Sequence, residues 1–176
     1  FLNTHALKGA RLGVVRTMFG NNEHVVRVMD EALAAMKKLG AEVIDPVQID
    51  SHGKVDESEF KVLLYEFKAG LNEYLASLKH ADRHKTLADI IAFNDANRDR
   101  EMPYFGQDIF LQAQAKGPLT AKEYLDALKI CRQLSTVEGI DAVMGKHRLD
   151  ALVAPTTDPA YPTDLVLGDH YTGGGA

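Results

Sequence analysis

Apolar and polar positions change period several times along the chain, and each change marks an element. After a turn at residues 7–9, Leu12, Val14 and Val15 mark residues 11–17 as a short strand, in which Gly13 lets a neighbour approach closely. Gly20, Asn21 and Asn22 form a loop, and either asparagine suits the N-cap of a following helix. Val25, Val26, Met29, Leu33 and Met36 then recur at helical spacing, predicting a helix over 23–39 with one apolar face. Glu23 near its start and Lys37 and Lys38 near its end complement the helix dipole. Gly40 supplies a left-handed stop, and residues 41–44 read as a second strand ended by Asp45-Pro46. A strand–helix–strand unit of about 35 residues predicts parallel pairing with a right-handed crossover, and hence helices on the sheet faces.

The rest of the chain is mostly helical in pattern. Phe60, Leu63, Leu64, Phe67, Leu71, Tyr74, Leu75 and Leu78 predict a strong buried stripe on a helix over 57–78. Thr86 is placed to cap a third helix carrying Leu87, Ile90, Ile91 and Phe93, which breaks around residues 94–99. Residues 101–107 form a loop by their Pro and Gly, and a short helix follows over 108–115. Gly117-Pro118 ends it, and Thr120 is the expected cap of a long helix to about Gly145 that Gly139 bends or splits. Residues 149–154 read as a third buried strand stopped by Pro155, and the remainder is turn-rich. The expected fold is α/β, with three short, mostly parallel strands and four to six helices, as part of a larger mixed-sheet domain. No internal repeat or linker is visible over residues 1–176, and that length suits one domain rather than two.

Composition narrows the function classes. Hydrophobic residues at 45% and charged residues at 26% argue against disorder. The net charge is −5, and Lys and Arg are scattered among acids, so the dense basic face of a nucleic-acid binder is missing. No apolar run approaches the roughly 20 residues that span a bilayer, and the first residues do not read as a signal peptide. The lone Cys131 forms no internal disulfide; a reducing, cytoplasmic setting is the expectation. Its helical position reads as a small buried hydrophobe rather than a nucleophile. The first residue, Phe1, and the terminal Gly173-Gly174-Gly175-Ala176 suggest that both ends are cuts.

Candidate chemistry is sparse. The glycines at 173–175 lack the Lys and Ser/Thr of a phosphate-binding loop. His80, Asp82 and His84 make a possible metal cluster, but the stretch has no third ligand in a recognisable motif and reads as a solvated helix connection. Asp158, Asp164, Asp169 and His170 hold groups capable of acid–base work, yet no nucleophile motif accompanies them. None of Ser51, Ser58, Ser77 and Ser135 stands in a Gly-x-Ser-x-Gly or Ser-x-x-Lys pattern.

Five segments, taken in order, resemble the amidase signature family, closest to its peptide-amidase-like branch. They are Ala6-Leu7-Lys8-Gly9-Ala10-Arg11-Leu12-Gly13-Val14-Val15-Arg16; Leu39-Gly40-Ala41-Glu42-Val43; and Glu66-Phe67-Lys68-Ala69-Gly70-Leu71-Asn72-Glu73-Tyr74-Leu75. The fourth is Thr86-Leu87-Ala88-Asp89-Ile90-Ile91-Ala92-Phe93-Asn94 followed by Tyr104-Phe105-Gly106-Gln107, and the fifth is Leu149-Asp150-Ala151-Leu152-Val153-Ala154-Pro155-Thr156 with Asp164, Gly168 and Asp169 behind it. The resemblance implies hydrolysis of peptide or small amides. A Ser nucleophile, a second Ser held by a cis peptide and a neutral Lys base carry the chemistry, and backbone N–H groups stabilise the oxyanion, with no metal or organic cofactor. The family's glycine/serine-rich stretch and Lys segment find no match in residues 1–176, so no catalytic residue is carried over, Lys8 and Lys68 included. The chain reads as the part of the domain C-terminal to that signature region and is expected to be inactive alone.

A share of the substrate pocket is the part of the function expected here. Loops at the C-terminal ends of strands carry ligands in α/β sheets. Tyr104, Phe105 and Gln107 on one loop, and Pro155, Thr156 and Thr157 on another, are the candidate substrate-binding residues. Two other readings compete: a catalytically silent binding module, and a stand-alone interaction domain with a flavodoxin-like sheet. The expected partners are an amide substrate, with no nucleic acid or membrane, and further copies of the chain joined through truncated sheet edges.

Overall fold

A computed structural model describes residues 3–78 and 84–171. The described residues form two compact units, one of residues 3–52 with 135–171 and the other of residues 53–78 with 84–134. His80, Asp82 and the glycines at 173–175 lie outside the described residues.

The first unit carries a three-stranded parallel sheet of order β2-β1-β3. The strands are β1 (Arg11–Val14), β2 (Glu42–Ile44) and β3 (Ala151–Val153). Leu12 faces Val43 on one side of β1 and Ala151 on the other. Between β1 and β2 runs α1 (Glu23–Lys38), and Asn22 is its cap, its Oδ1 accepting from the amides of His24 at 3.0 Å and Val25 at 3.4 Å. Gly40 follows with φ of +98°, a conformation that any other side chain would strain.

Gly13 shows why the middle strand needs a bare α-carbon. A Cβ there would collide with Leu149 Cδ1, and it would stand 3.0 Å from Val47 Cγ2 and 3.1 Å from Leu152 Cδ2. Val14, Phe19 and Leu33 form a core on one sheet face, with Met29 and Met36 of α1 packed against it. Val15, Val47, Val143 and Leu149 form a second core. Val14 and Val15 are fully buried, each contributing about 1.5–3 kcal/mol before entropy is subtracted. β1 is shorter than its pattern predicts: after Val14 the chain turns into a single 3-10 turn, Arg16–Met18. Phe19 is thereby buried against Val14 and Leu33, and Arg16 is drawn to carboxylates on two neighbouring segments.

The second unit is helical: α2 (Asp56–Ser77), α3 (Leu87–Ala96), the single turn α4 (Arg98–Glu101), α5 (Asp108–Gln114) and α6 (Lys122–Arg132). Leu64, Leu87 and Ala113 are its core, surrounded by Phe67, Leu71, Ile91 and Phe110. Thr86 and Asp89 make a reciprocal capping box on α3. The eight-residue stripe expected on α2 is only partly buried. Leu64 is enclosed, Phe67, Leu71 and Leu75 are half-buried, and Phe60, Leu63, Tyr74 and Leu78 are exposed. The unlooked-for buried residue is Tyr65, which sits on the α6 side of the helix and donates its hydroxyl to Glu123.

The long helix expected after Thr120 is present in three parts: α6, a π-helical stretch Gln133–Ile140 that contains the buried Gly139, and α7 (Asp141–His147), which belongs to the first unit. Thr120 does not cap it. The N-cap position is Ala121, without a side-chain bond. Three parallel strands in one sheet with these helices agree with the α/β fold expected; the break after Ala96 sets off the single turn α4, and the π-helical stretch that holds Gly139 separates α6 from α7. No helix among the described residues is long and apolar enough to cross a membrane.

Candidate functional site

All three strands run the same way, so their C-terminal ends share one edge of the first unit, where an α/β sheet places ligands. Arg16 is the fixed charge at that edge. Its Nε and Nη2 donate to Asp45 Oδ1 and Oδ2 at 2.8 and 2.6 Å, its Nη1 donates to Asp30 at 2.7 Å, and its guanidinium lies 4.7 Å from the centre of the Phe19 ring. The two-pronged bond from Arg16 holds the Asp45 carboxyl below the usual carboxylate range. This cluster was not foreseen in the chain pattern. The available signal was an Arg two residues beyond one strand and an Asp immediately after its parallel neighbour. The Asp45–Pro46 bond is cis.

The loop after β3 reaches the same edge. Pro155 is buried, whereas Thr156 and Thr157 are exposed. Further on, Asp164 folds the chain back on itself. Its Oδ1 accepts from the amides of Val166 at 2.8 Å and Leu167 at 2.9 Å, and its Oδ2 lies 3.3 Å from His170 Nε2. Those amides lower the Asp164 pKa. Asp164 therefore works as a turn brace with one carboxylate oxygen already engaged by backbone.

In the second unit the other candidate loop is pinned from below. Gln107 is only 9% exposed. Its Nε2 donates to Asp95 Oδ1 at 3.0 Å and to the Ile91 carbonyl at 3.3 Å, and its Oε1 accepts from Asn94 Nδ2 at 3.1 Å. Tyr104 and Phe105 project outward, 66% and 75% exposed. Around Phe105, Gly106 and Gln107 lies a depression of about 440 Å³, whose other walls include Glu101, Met102, Ile109 and Phe110. Tyr104, Phe105 and Gln107 lie on one loop between helices, and Gln107 is its internal fastening.

The second unit has one more polar feature. Tyr65 of α2 donates to Glu123 of α6 at 2.7 Å, and Tyr124 of α6 donates to Glu66 of α2 at 2.8 Å, a reciprocal pair with the two rings 5.5 Å apart. Each hydrogen bond raises its tyrosine's pKa, and the Tyr65 bond lowers that of Glu123. Lys68 donates to the carbonyls of Gln114 at 2.9 Å and Lys116 at 2.6 Å, closing the end of α5. That places Lys68 in a fastening role. Cys131 is half-buried, and desolvation raises its thiol pKa. His84 packs edge-on against Phe93, and no group of three His, Cys, Asp or Glu among the described residues is placed to hold a metal ion.

The sequence model of the Amidase family matches residues 1–170. The chain belongs to the amidase family. Amidase relatives agree along nearly its whole length. A probable amidase of Arabidopsis thaliana is 34% identical over 163 residues, covering 90% of this chain and 30% of that protein. The crystal structure of a peptide amidase bound to the competitive inhibitor chymostatin superposes with a TM-score of 0.87 at 37% identity, over 98% of this chain and 34% of the other. The native peptide amidase of Stenotrophomonas maltophilia gives a TM-score of 0.83 at 36% identity, with the same coverage. This chain thus spans about a third of the length of the amidases it matches.

Proposed function

We propose that this chain is the part of an amidase that helps to bind the amide substrate, and that the whole enzyme cleaves carboxamide C–N bonds of peptides or small amides. The observation that carries the reading is the superposition on a peptide amidase over 98% of the chain at 37% identity. The chemistry proposed for the whole enzyme is attack by a Ser hydroxyl, with a Lys taking the proton through a bridging Ser. Those residues are assigned outside residues 1–176, whose serines lie in helices or in a buried turn. In this reading the candidate substrate-binding residues are Tyr104, Phe105 and Gln107 on the one loop, with Gln107 also fastening it, and Pro155, Thr156 and Thr157 on the other, each loop taken by itself. The reaction is hydrolytic, and the proposal includes no metal or organic cofactor.

The test is ammonia release from a peptide amide by the full-length protein. Hydrolysis is expected with the full-length enzyme and not with residues 1–176 alone. A full-length protein that leaves every peptide and small amide intact would count against the assignment.

A further inference from the structure

The depression beside Phe105 has three properties that together describe a ligand. Its floor is pinned, because Gln107 beneath it is hydrogen-bonded to Asn94, Asp95 and the Ile91 carbonyl. It is apolar at the mouth, because Phe105 and Ile109 stand 75% and 44% exposed beside Met102 and Phe110. It is negative at the rim, because among the described residues that line it the charged ones, Glu101 and Asp108, are both carboxylates. The nearby Arg98 is turned to Asp95, at 3.3 Å. A preformed apolar depression binds without first having to order its walls, and a one-signed rim selects the charge of what enters.

We propose that this depression receives an apolar side chain of a peptide that carries a positive charge beside it, such as a free N-terminal ammonium, which Glu101 and Asp108 meet. Treating that peptide as the substrate rests on the amidase reading above; the binding itself does not. Phe105 and Ile109 supply the contact area, and the carboxylates discriminate against acidic peptides.

The test uses the full-length protein and dipeptide alcohols, which contain no amide at the C-terminus to cleave. Calorimetric titration compares Phe-leucinol with a free amine, its N-acetyl form and its N-succinyl form, and hydrolysis of Phe-Leu-amide is followed separately. The free amine is expected to bind most tightly and the succinyl form least, with the spread shrinking at 0.5 M salt. Phe105→Ala, at an exposed position, should weaken the free-amine probe about five- to tenfold. Glu101→Lys should invert the order in favour of the succinyl form. Equal affinity for the three probes, no binding of any of them, or unaltered binding by Phe105→Ala overturns the proposal. The expected order of binding without hydrolysis of Phe-Leu-amide or of any other peptide or small amide upholds it and removes the enzymatic reading instead.

Discussion

At the residue scale, Gly13 is where the sheet is least forgiving. Its α-carbon faces Leu149 and Leu152, with Val47 close by, and there is no room for a methyl group. Gly13→Ala is expected to destabilise the fold by about 1–3 kcal/mol, read as a lower urea midpoint at unchanged slope. A glycine inside an apolar strand already signals close approach, so this constraint was legible in sequence. The side chains that press on it were not, since Leu149 and Leu152 come from the other end of the chain. The same holds for Arg16 and for Tyr65 with Glu123, whose partners are fixed by register between segments 14 to 58 residues apart. Local pattern carries no information about such registers. Arg148 is a further case: it ends α7 in the left-handed region at φ 52°, where glycine is usual, and Arg11 donates to its carbonyl and to that of His147 at 2.9 and 3.1 Å.

At the element scale, helix starts were readable wherever a side chain caps them. Asn22 and Thr86 stand where chain pattern puts them, because a short polar side chain before an apolar run has one favourable use. Replacing either by Ala is expected to cost about 1 kcal/mol, measured by thermal or denaturant unfolding, and Gly at Asn22 only a few tenths. Thr120 shows the limit of that reasoning: a good capping residue was present one position too early, and the helix began without it. The exposed half of the α2 stripe shows another. Spacing reports that a residue is apolar, but burial depends on how many neighbours surround the helix, and α3, α5 and α6 cover one side of it. That residues 102–107 and the residues after Ala154 form loops was legible from breaks in pattern, while the fastening of Gln107 needed the fold.

At the scale of the whole molecule, the stabilising carboxylates set the response to acid. Asp45, Asp89, Glu123 and Asp164 all have pKa values lowered by hydrogen bonds in the folded chain. A group whose folded pKa is depressed stabilises the fold above its unfolded pKa, and the benefit is lost as pH falls through the folded value. Stability should therefore hold through neutral pH and fall steadily from about pH 4 downward, where unfolded Asp and Glu titrate. Urea midpoints measured between pH 7 and pH 3 check this, and Asp45→Asn should flatten part of the slope. The net charge of −5 and the scattered bases gave no direct view of these pairs. The order of strands has a consequence for synthesis. β1 is made first and β2 soon after, but β3 begins at Ala151, roughly a hundred residues later, with the whole second unit encoded between. At about 5–20 residues per second, one flank of the central strand waits on the order of 5–20 seconds for its partner to leave the ribosome. The nascent protein is most open to chaperones, and to mispairing with another copy, during that interval.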